Sequence, residues 1–285
     1  MSPFQVSSRS GNNRVVFVAL TTILLITAFT ACKDPDKDKT PEYGKLTLYI
    51  AHLFHDNWLV IDDSTYVNAA GNELIFNELQ YFISDVVLHY SDGSEVPVNQ
   101  WKEIHYVDSD IPETMTWEIF DSLPPGAIDS ISFVFGISEE KNQSYMYVNP
   151  PESLMFWPDI LGGGYHYLKL NGKWKNEENQ LSPFNFHLGI GQVYDTAGHI
   201  TGFIQNYFRT GARLPVYSSY ALVVEPGETT SVTLAMDVAS WFETPDIWDF
   251  NYWGGDIMQN QEALHAGCRN GFDIFSLMSP LFINE

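Results

Sequence analysis

Apolar and polar residues alternate in short runs along most of the chain, and this pattern predicts β-strands. In the segment 45–52, apolar side chains recur at every second position among β-branched and aromatic residues, as expected for a strand with one buried face. Turn-forming residues separate such runs, for example at 91–94 and 124–126. Further strands are predicted at 73–76, 80–90, 95–98, 104–107, 116–120, 128–135, 165–170, 184–188, 221–224 and 230–236.

Many short strands punctuated by turns favour an all-β fold, and we expect an antiparallel β-sandwich with long loops. Helical periodicity is weak until the C-terminal part of the chain, where 240–242 and 260–266 predict short helices. No internal repeat is visible. The sequence therefore predicts a single β-sandwich domain over residues 45–285.

The first 31 residues predict a signal peptide. Arg9 and Arg14 precede an apolar run from Val15 to Ala31, and no acidic residue occurs before Cys32. Small residues just before a lone cysteine resemble the signal read by lipoprotein processing, so Cys32 is the predicted lipidation site. An ordinary secretory signal and a transmembrane anchor are the alternatives, and 17 apolar residues are marginal for crossing a bilayer.

Residues 33–44 are charged and contain proline, which predicts a flexible tether between the lipidated Cys32 and the domain. The mature protein would then be exported and held by its lipid in the bacterial envelope. We expect the outer membrane, with the domain on the periplasmic or the cell-surface face.

The charge balance excludes one class of partner. The chain has 14 Lys and Arg against 36 Asp and Glu, a net charge of -22, so we expect no nucleic-acid binding. Hydrophobic residues make up 45% of the chain, enough for a large core. The chain has two cysteines, Cys32 and Cys268. If Cys32 is lipidated, Cys268 has no partner for an internal disulfide.

Catalytic motifs are absent from the sequence. No Gly-x-Ser-x-Gly elbow, phosphate loop or His-Glu-x-x-His occurs. The run Gly162–Gly164 lacks the context of a dinucleotide loop and predicts a tight turn. Carboxylate pairs such as Glu139–Glu140 are expected in so acidic a chain and do not by themselves indicate a glycosidase. We therefore expect a protein that is not an enzyme.

Histidines are the candidate metal ligands, although none forms a compact ligand motif. Alternation in 164–170 predicts that His166 shares a strand face with Leu168 and Leu170. His265 and Cys268 are three residues apart, which on a helix would bring imidazole and thiol to one face. A capped helix end with a buried thiol is the alternative. The eight histidines are His52, His55, His89, His105, His166, His187, His199 and His265.

Four stretches of the chain, in order, match a set of family motifs. The first comprises 51–52, 67–73 and 79–86 and is similar to H…Y-x-N-x-x-G…L-x-Y-Y-I-S-N-I, and the second, 104–108, is similar to Y-H-L-I-D. The third comprises 154–157, 164–172 and 186–189 and is similar to G-M-x-W…G-Y-x-F-x-K-L-E-G…F-x-x-H-x-G. The fourth, 270–275, is similar to N-G-x-D-V-F. Together they cover most of 45–278, and the chain resembles the MbnP-like family, relatives of a periplasmic copper-binding protein.

The resemblance implies a β-rich domain that binds copper. In the family, two histidines and a tryptophan oxidised to kynurenine hold Cu(I), and a di-haem peroxidase-like partner is thought to make the oxidation. Carried over by motif, His52 and His187 are the ligand candidates, Trp157 is the tryptophan, and His166 is a further ligand candidate. Imidazole and aryl amine suit monovalent copper. Members often carry a second tryptophan two positions after Trp157, where this chain has Asp159.

A second function follows from an aromatic cluster near the C-terminus. Exposed aromatics among Asp and Asn residues stack on sugars or anchor protein partners, which would make the sandwich a binding module without a metal. The alternative is that the cluster covers one end of the sandwich. Its members are Trp241, Phe242, Trp248, Phe250, Tyr252 and Trp253.

Overall fold

Residues 43–98, 103–215 and 218–280 are described by the structure, which is a computed structural model. They belong to one structural unit that spans residues 41–285. The predicted signal peptide, Cys32 and nearly all of the predicted tether lie outside the described residues, so the structure says nothing about lipidation.

β-Strands form most of the regular structure in this part of the chain. The strands are β1 (Gly44–Phe54), β2 (Asn57–Trp58), β3 (Tyr66–Val67), β4 (Glu73–Tyr90), β5 (Glu95–Pro97), β6 (Ile104–Asp108), β7 (Thr116–Leu123), β8 (Gly126–Phe135), β9 (Leu168–Lys175), β10 (Leu181–Leu188), β11 (Gly191–Tyr194), β12 (Ile200–Ile204), β13 (Phe208–Arg213), β14 (Val223–Val224), β15 (Thr229–Asp237) and β16 (Phe275–Met278). The helices are α1 (Phe250–Trp253) and α2 (Gln261–Asn270), with 3-10 turns at Pro112–Met115, Glu152–Met155, Asp159–Leu161, Val238–Phe242 and Gly271–Asp273.

Two sheets carry the fold, and their strands confirm the predicted all-β class. In the five-stranded sheet the order is β16-β15-β1-β2, and β7 also pairs with β1. In the nine-stranded sheet the order is β10-β9-β4-β8-β13, with β3, β5 and β6 on β4 and β14 on β8. Pairing is antiparallel except between β1 and β15, which run parallel. Strands β11 and β12 form a separate hairpin.

The main core lies between the two sheets. Aromatic rings from both sheets meet there: the centroids of Tyr81 on β4 and Phe135 on β8 are 5.5 Å apart, and those of Phe135 and Phe275 on β16 are 5.9 Å apart. We call the face of the nine-stranded sheet that carries Tyr81 its inner face. A smaller core covers part of the opposite, outer face and contains Phe82, Tyr106, Ile137, Met155 and Tyr165.

Strand bounds differ from the sequence prediction at two places that matter for the site. The separate strands expected at 73–76 and 80–90 form one strand, β4, of 18 residues. Its pairing with β9 shifts register between Phe76 and Glu78, and the alternation of apolar residues is interrupted there. Strand β9 begins at Leu168 instead of residue 165. His166 therefore precedes the strand, and the expectation that it shares a strand face with Leu168 and Leu170 is wrong.

The C-terminal aromatic cluster is largely internal. Trp241, Phe242, Trp248 and Phe250 are buried in the main core, and of the cluster only Tyr252 is mostly exposed. A stacking platform for sugars needs coplanar exposed rings, so the cluster does not support the binding module without a metal. Among the described residues, no helix has the length and apolar character needed to cross a membrane.

Candidate metal centre

Strand pairing separates the two histidines that the motifs suggested as ligands. On adjacent strands, His187 pairs with Lys169 and Lys169 pairs with Gln80, so these side chains share one face. Tyr81, the next residue along β4, faces the other way into the main core, where its hydroxyl lies 3.0 Å from Nε2 of His52. His187 therefore lies on the outer face of the nine-stranded sheet, and His52 approaches its inner face.

On the outer face, His187 meets the other two predicted site residues. The ring centroids of His166 and His187 are 4.9 Å apart with nearly perpendicular planes, and those of Trp157 and His166 are 4.7 Å apart. Burial is almost complete, since His187 is 9% exposed, His166 is 6% exposed and Trp157 is 0% exposed. We call these three residues the outer-face site. The structure thus brings three of the four predicted residues together and leaves His52 elsewhere.

Hydrogen bonds orient both imidazoles and fix which nitrogen of each ring carries the lone pair. Nδ1 of His166 donates to the carbonyl oxygen of Met155 at 2.9 Å, so its lone pair is on Nε2. Nε2 of His187 donates to Oδ1 of Asn171 at 2.7 Å, so its lone pair is on Nδ1. That Nδ1 is buried and has no hydrogen-bond partner. An unpartnered buried nitrogen is costly, and a metal ion would satisfy it.

A polar chain behind His187 fixes the orientation of the Asn171 amide. The Nδ2 of Asn171 donates to the carboxylate of Glu78, which turns Oδ1 towards His187. Lys169 lies beside this chain, with its Nζ 3.8 Å from Glu78 and 3.3 Å from Oε1 of Gln80. Partners of this kind hold a ligating histidine in one tautomer and one ring orientation.

Burial keeps both imidazoles neutral. Together with smaller contributions from the neighbouring His166 and Lys169, it lowers the pKa of His187 to about 3. Burial also lowers the pKa of His166 to about 4, although the hydrogen bond to Met155 works in the opposite direction. Both rings are therefore neutral at neutral pH, and each keeps one nitrogen lone pair.

The loop before β9 places Trp157 and His166 over the outer face. The indole Nε1 of Trp157 donates to the carbonyl of Leu161 at 3.1 Å, and its backbone N donates to Gly164 at 2.8 Å. Gly162, Gly163 and Gly164 all have positive φ, which confirms the tight turn expected there. Gly189 leaves room for the ring, because a Cβ at that position would lie 2.5 Å from the indole of Trp157.

His52 belongs to a second donor region, between the sheets. A cavity of about 290 Å³ is lined by His52, Trp58 and Met115, and Trp58 is 54% exposed. Burial lowers the pKa of His52 to about 3. We call His52, Trp58 and Met115 the inter-sheet region. Sequence reasoning missed Trp58 and Met115, because the thioether comes from a 3-10 turn that only the folded chain brings to β1.

His105 lies close to the inter-sheet region on the inner face of the nine-stranded sheet. It pairs with Ile83 on β4, two residues from the pairing of Tyr81 with Val107. Its ring stacks on Trp117 with centroids 4.7 Å apart, and its Nε2 bonds the carbonyl of Thr114 at 2.8 Å. The motif around His105 was visible in the sequence. Nothing there indicated that His105 and His52 both lie beside the 3-10 turn Pro112–Met115.

The pair His265 and Cys268 does not form a soft-metal site. Burial raises the pKa of the Cys268 thiol to about 12, and its Sγ lies 3.2 Å from the carbonyl of Asn206. His265 is exposed on α2. A protonated, half-buried thiol is closer to the alternative of a capped helix end. Within the described ranges, no group of three or more His, Cys, Asp or Glu side chains is arranged to hold a metal ion.

The fold and the buried side chains define the class of protein: an all-β sandwich with a pair of buried imidazoles beside a tryptophan. Sequence comparison matches residues 43–259 to the MbnP family, and the chain belongs to that family. Among solved structures, the fold is similar to MbnP from Methylosinus trichosporium. The two share 14% identity with a TM-score of 0.52, over 83% of this chain and 99% of that one. No curated protein matches the chain.

Proposed function

We propose that this protein binds copper as Cu(I) in the cell envelope, and that it captures or delivers the ion without turning over a substrate. The observation that carries the proposal is the buried, unpartnered Nδ1 of His187 beside the ring of His166. Membership of the MbnP family supports copper as the metal. In this account the outer-face site holds the ion.

Two nitrogens would donate to the metal, Nε2 of His166 and Nδ1 of His187. Both belong to neutral imidazoles whose other nitrogen is already hydrogen-bonded. Monovalent copper accepts such nitrogen donors and needs few of them. The two fixed tautomers mean that little side-chain reorganisation is needed on binding, which favours tight binding.

Trp157 packs against His166, one member of the donor pair. Its fully buried ring lies 4.7 Å from that of His166, centroid to centroid, and shields this histidine from water. Exclusion of water and oxygen-donor ligands favours the monovalent ion over the divalent one. This role requires an unmodified indole, which already donates its Nε1 proton to Leu161.

A di-haem peroxidase-like partner, if it acts on this chain, would reach a different tryptophan. Trp58 is 54% exposed at the mouth of the inter-sheet cavity, whereas Trp157 is 0% exposed. Oxidation of a side chain by another protein needs access to its ring. We therefore propose Trp58 as the tryptophan open to modification, with His52 the nearest predicted ligand to it.

Export and anchoring complete the proposal. The N-terminal signal and Cys32 favour a lipoprotein in the bacterial envelope, where an acidic domain remains soluble and concentrates cations weakly. Mass spectrometry of Cys32-containing peptides from the native membrane tests this part. An unacylated N-terminus would restrict the proposal to a freely secreted or otherwise anchored protein.

The site is tested by anaerobic Cu(I) titration against a chromophoric chelator. We expect one tight site in the wild type and at least a roughly hundredfold loss of affinity in both H166A and H187A, because each variant removes one of two donors. H52A should bind like the wild type. His199→Ala, at an exposed histidine, is the matched control.

Two results of the Cu(I) titration would contradict the proposal. Loss of Cu(I) binding in H52A, with H166A and H187A unaffected, would move the centre to the inter-sheet region and refute the outer-face site. Absence of tight binding in the wild type, purified from its own host, would refute the copper proposal itself.

A further inference from the structure

Arginine is scarce in this acidic chain and is concentrated on one strand. Three arginines follow residue 31, and two of them, Arg209 and Arg213, lie on β13. Strand β13 lies at one end of the strand order of the nine-stranded sheet, with β10 at the other end. Because residues two and four apart on a strand share a face, Arg209, Gly211 and Arg213 point to the same side.

Strand pairing shows what lies beside the two arginines. Gly211 pairs with Ser132 and Arg213 pairs with Ser130 on β8, and Ser130 pairs with His89 on β4. The outer face therefore presents two guanidinium groups with small polar residues between them. We call Ser130, Ser132, Arg209, Gly211 and Arg213 the β13 cradle.

The positive charge of the cradle is not neutralised by the protein. Within the described residues, neither Arg209 nor Arg213 forms an ion pair with a carboxylate, whereas Arg269 pairs with Asp246 at 2.7 Å. Arg209 is held by uncharged acceptors: its Nη1 donates to the carbonyl of Asp85 at 3.3 Å and to Oγ of Ser132 at 3.5 Å. The Arg209 side chain is otherwise exposed.

The cradle forms one wall of a cavity of about 720 Å³. That volume suits a small organic molecule. The same cavity continues around the edge of β13 to the side that faces the five-stranded sheet, where Phe272 and Phe275 are apolar and Asp273 is acidic. The Cα atoms of Arg209 and Arg213 are about 13 Å apart along the strand, a span that two long side chains can close around a single anion.

We propose that the β13 cradle binds a small organic oxyanion, a phosphate or carboxylate compound, through Arg209 and Arg213. Arginine recognises both groups by paired hydrogen bonds, and Ser130 adds a hydroxyl donor. The site is independent of the copper centre, because it uses other residues on other strands. In a chain with a net charge of -22, it gives an anion a local point of attraction.

Isothermal titration with pyrophosphate and with citrate tests the proposal and distinguishes phosphate from carboxylate ligands. We expect saturable binding of at least one probe to the wild-type protein, weakened about tenfold or more in R209Q and in R213Q. K173Q, which removes the same charge from β9, is the matched control and should bind as the wild type. D273N should bind more tightly, because it removes the repelling carboxylate.

Three outcomes would overturn the proposal. They are the absence of saturable binding of either probe, binding that survives in the double variant R209Q/R213Q, and equal weakening in K173Q, which would indicate only a diffuse charge effect. Circular dichroism melts confirm that each variant is folded. Cu(I) titration of the same variants should be unchanged, which separates this test from that of the copper centre.

Discussion

The outer-face site and the inter-sheet region contain the same kinds of side chain in opposite surroundings. In the outer-face site the tryptophan and both imidazoles are buried, and Nδ1 of His187 has no hydrogen-bond partner. In the inter-sheet region, Trp58 is half exposed, a cavity opens beside His52, and Nε2 of His52 is within hydrogen-bond distance of the Tyr81 hydroxyl.

The comparison shows that a histidine and a tryptophan near one another do not yet define a metal site. What distinguishes the outer-face site is an unsatisfied, buried donor atom supported by a hydrogen-bonded neighbour. What distinguishes the inter-sheet region is access from solvent. The first property favours holding an ion, and the second favours modification or entry.

The largest expected difference between the two regions is in stability. Trp157→Ala removes a fully buried indole and should lower the free energy of unfolding by about 3–5 kcal/mol. Trp58→Ala removes a half-exposed one and should change it by no more than about 0.5 kcal/mol. Urea unfolding followed by circular dichroism measures both. Equal effects would show that the loop carrying Trp157 does not pack as described.

A smaller effect is expected from the residue behind His187. N171L removes the acceptor that fixes the His187 tautomer and should weaken Cu(I) binding about 10- to 100-fold without removing a ligand. N185L, at the neighbouring outer-face position where the side chain bonds Asp256, is the control and should leave affinity unchanged. Nitrogen-15 chemical shifts of the His187 ring in the metal-free protein should also show loss of the single tautomer in N171L. An unchanged tautomer and affinity would mean that Asn171 has no positioning role.

A third effect concerns pH and is shared by both regions. The pKa values of His52 and His187 fall to about 3 on folding, and that of His166 falls to about 4, from an unfolded value near 6.5. Between these limits the unfolded chain binds more protons than the folded one, so the free energy of unfolding falls as the pH is lowered from 6.5 towards 4. Each group contributes at most about 1.4 kcal/mol per pH unit.

Urea unfolding at pH 7, 6 and 5 checks this dependence. The slope should be smaller in H187L, which removes one of the three groups, and unchanged in His199→Ala. A free energy of unfolding that stays constant from pH 7 to pH 5 would contradict the burial of neutral imidazoles.

Alternation of apolar residues predicted the strands of the main core well, and it did so for a physical reason. Strands β1 and β15 are buried and rich in β-branched and aromatic side chains, so they appear clearly in the pattern. Strand β13 was missed because it lies at a sheet edge and contains Arg209, Gly211 and Arg213. Edge strands carry charges and small residues that hide their periodicity.

The site could be predicted only in part. Family motifs identified His187, Trp157 and His166, which the structure brings together, and His52, which it does not. Alternation assigns a side chain to one of two faces of its own strand, but it does not say how faces of distant strands are related. The pairing of β10, β9 and β4 settles that relation, and it separates His52 from His187.

Anomalous diffraction at the copper edge, from crystals of the Cu(I)-loaded protein, tests the central claim most directly. The account predicts a single strong peak on the outer face of the nine-stranded sheet, within about 2 Å of Nε2 of His166 and Nδ1 of His187. A peak between the sheets, next to His52 and Trp58, would contradict it.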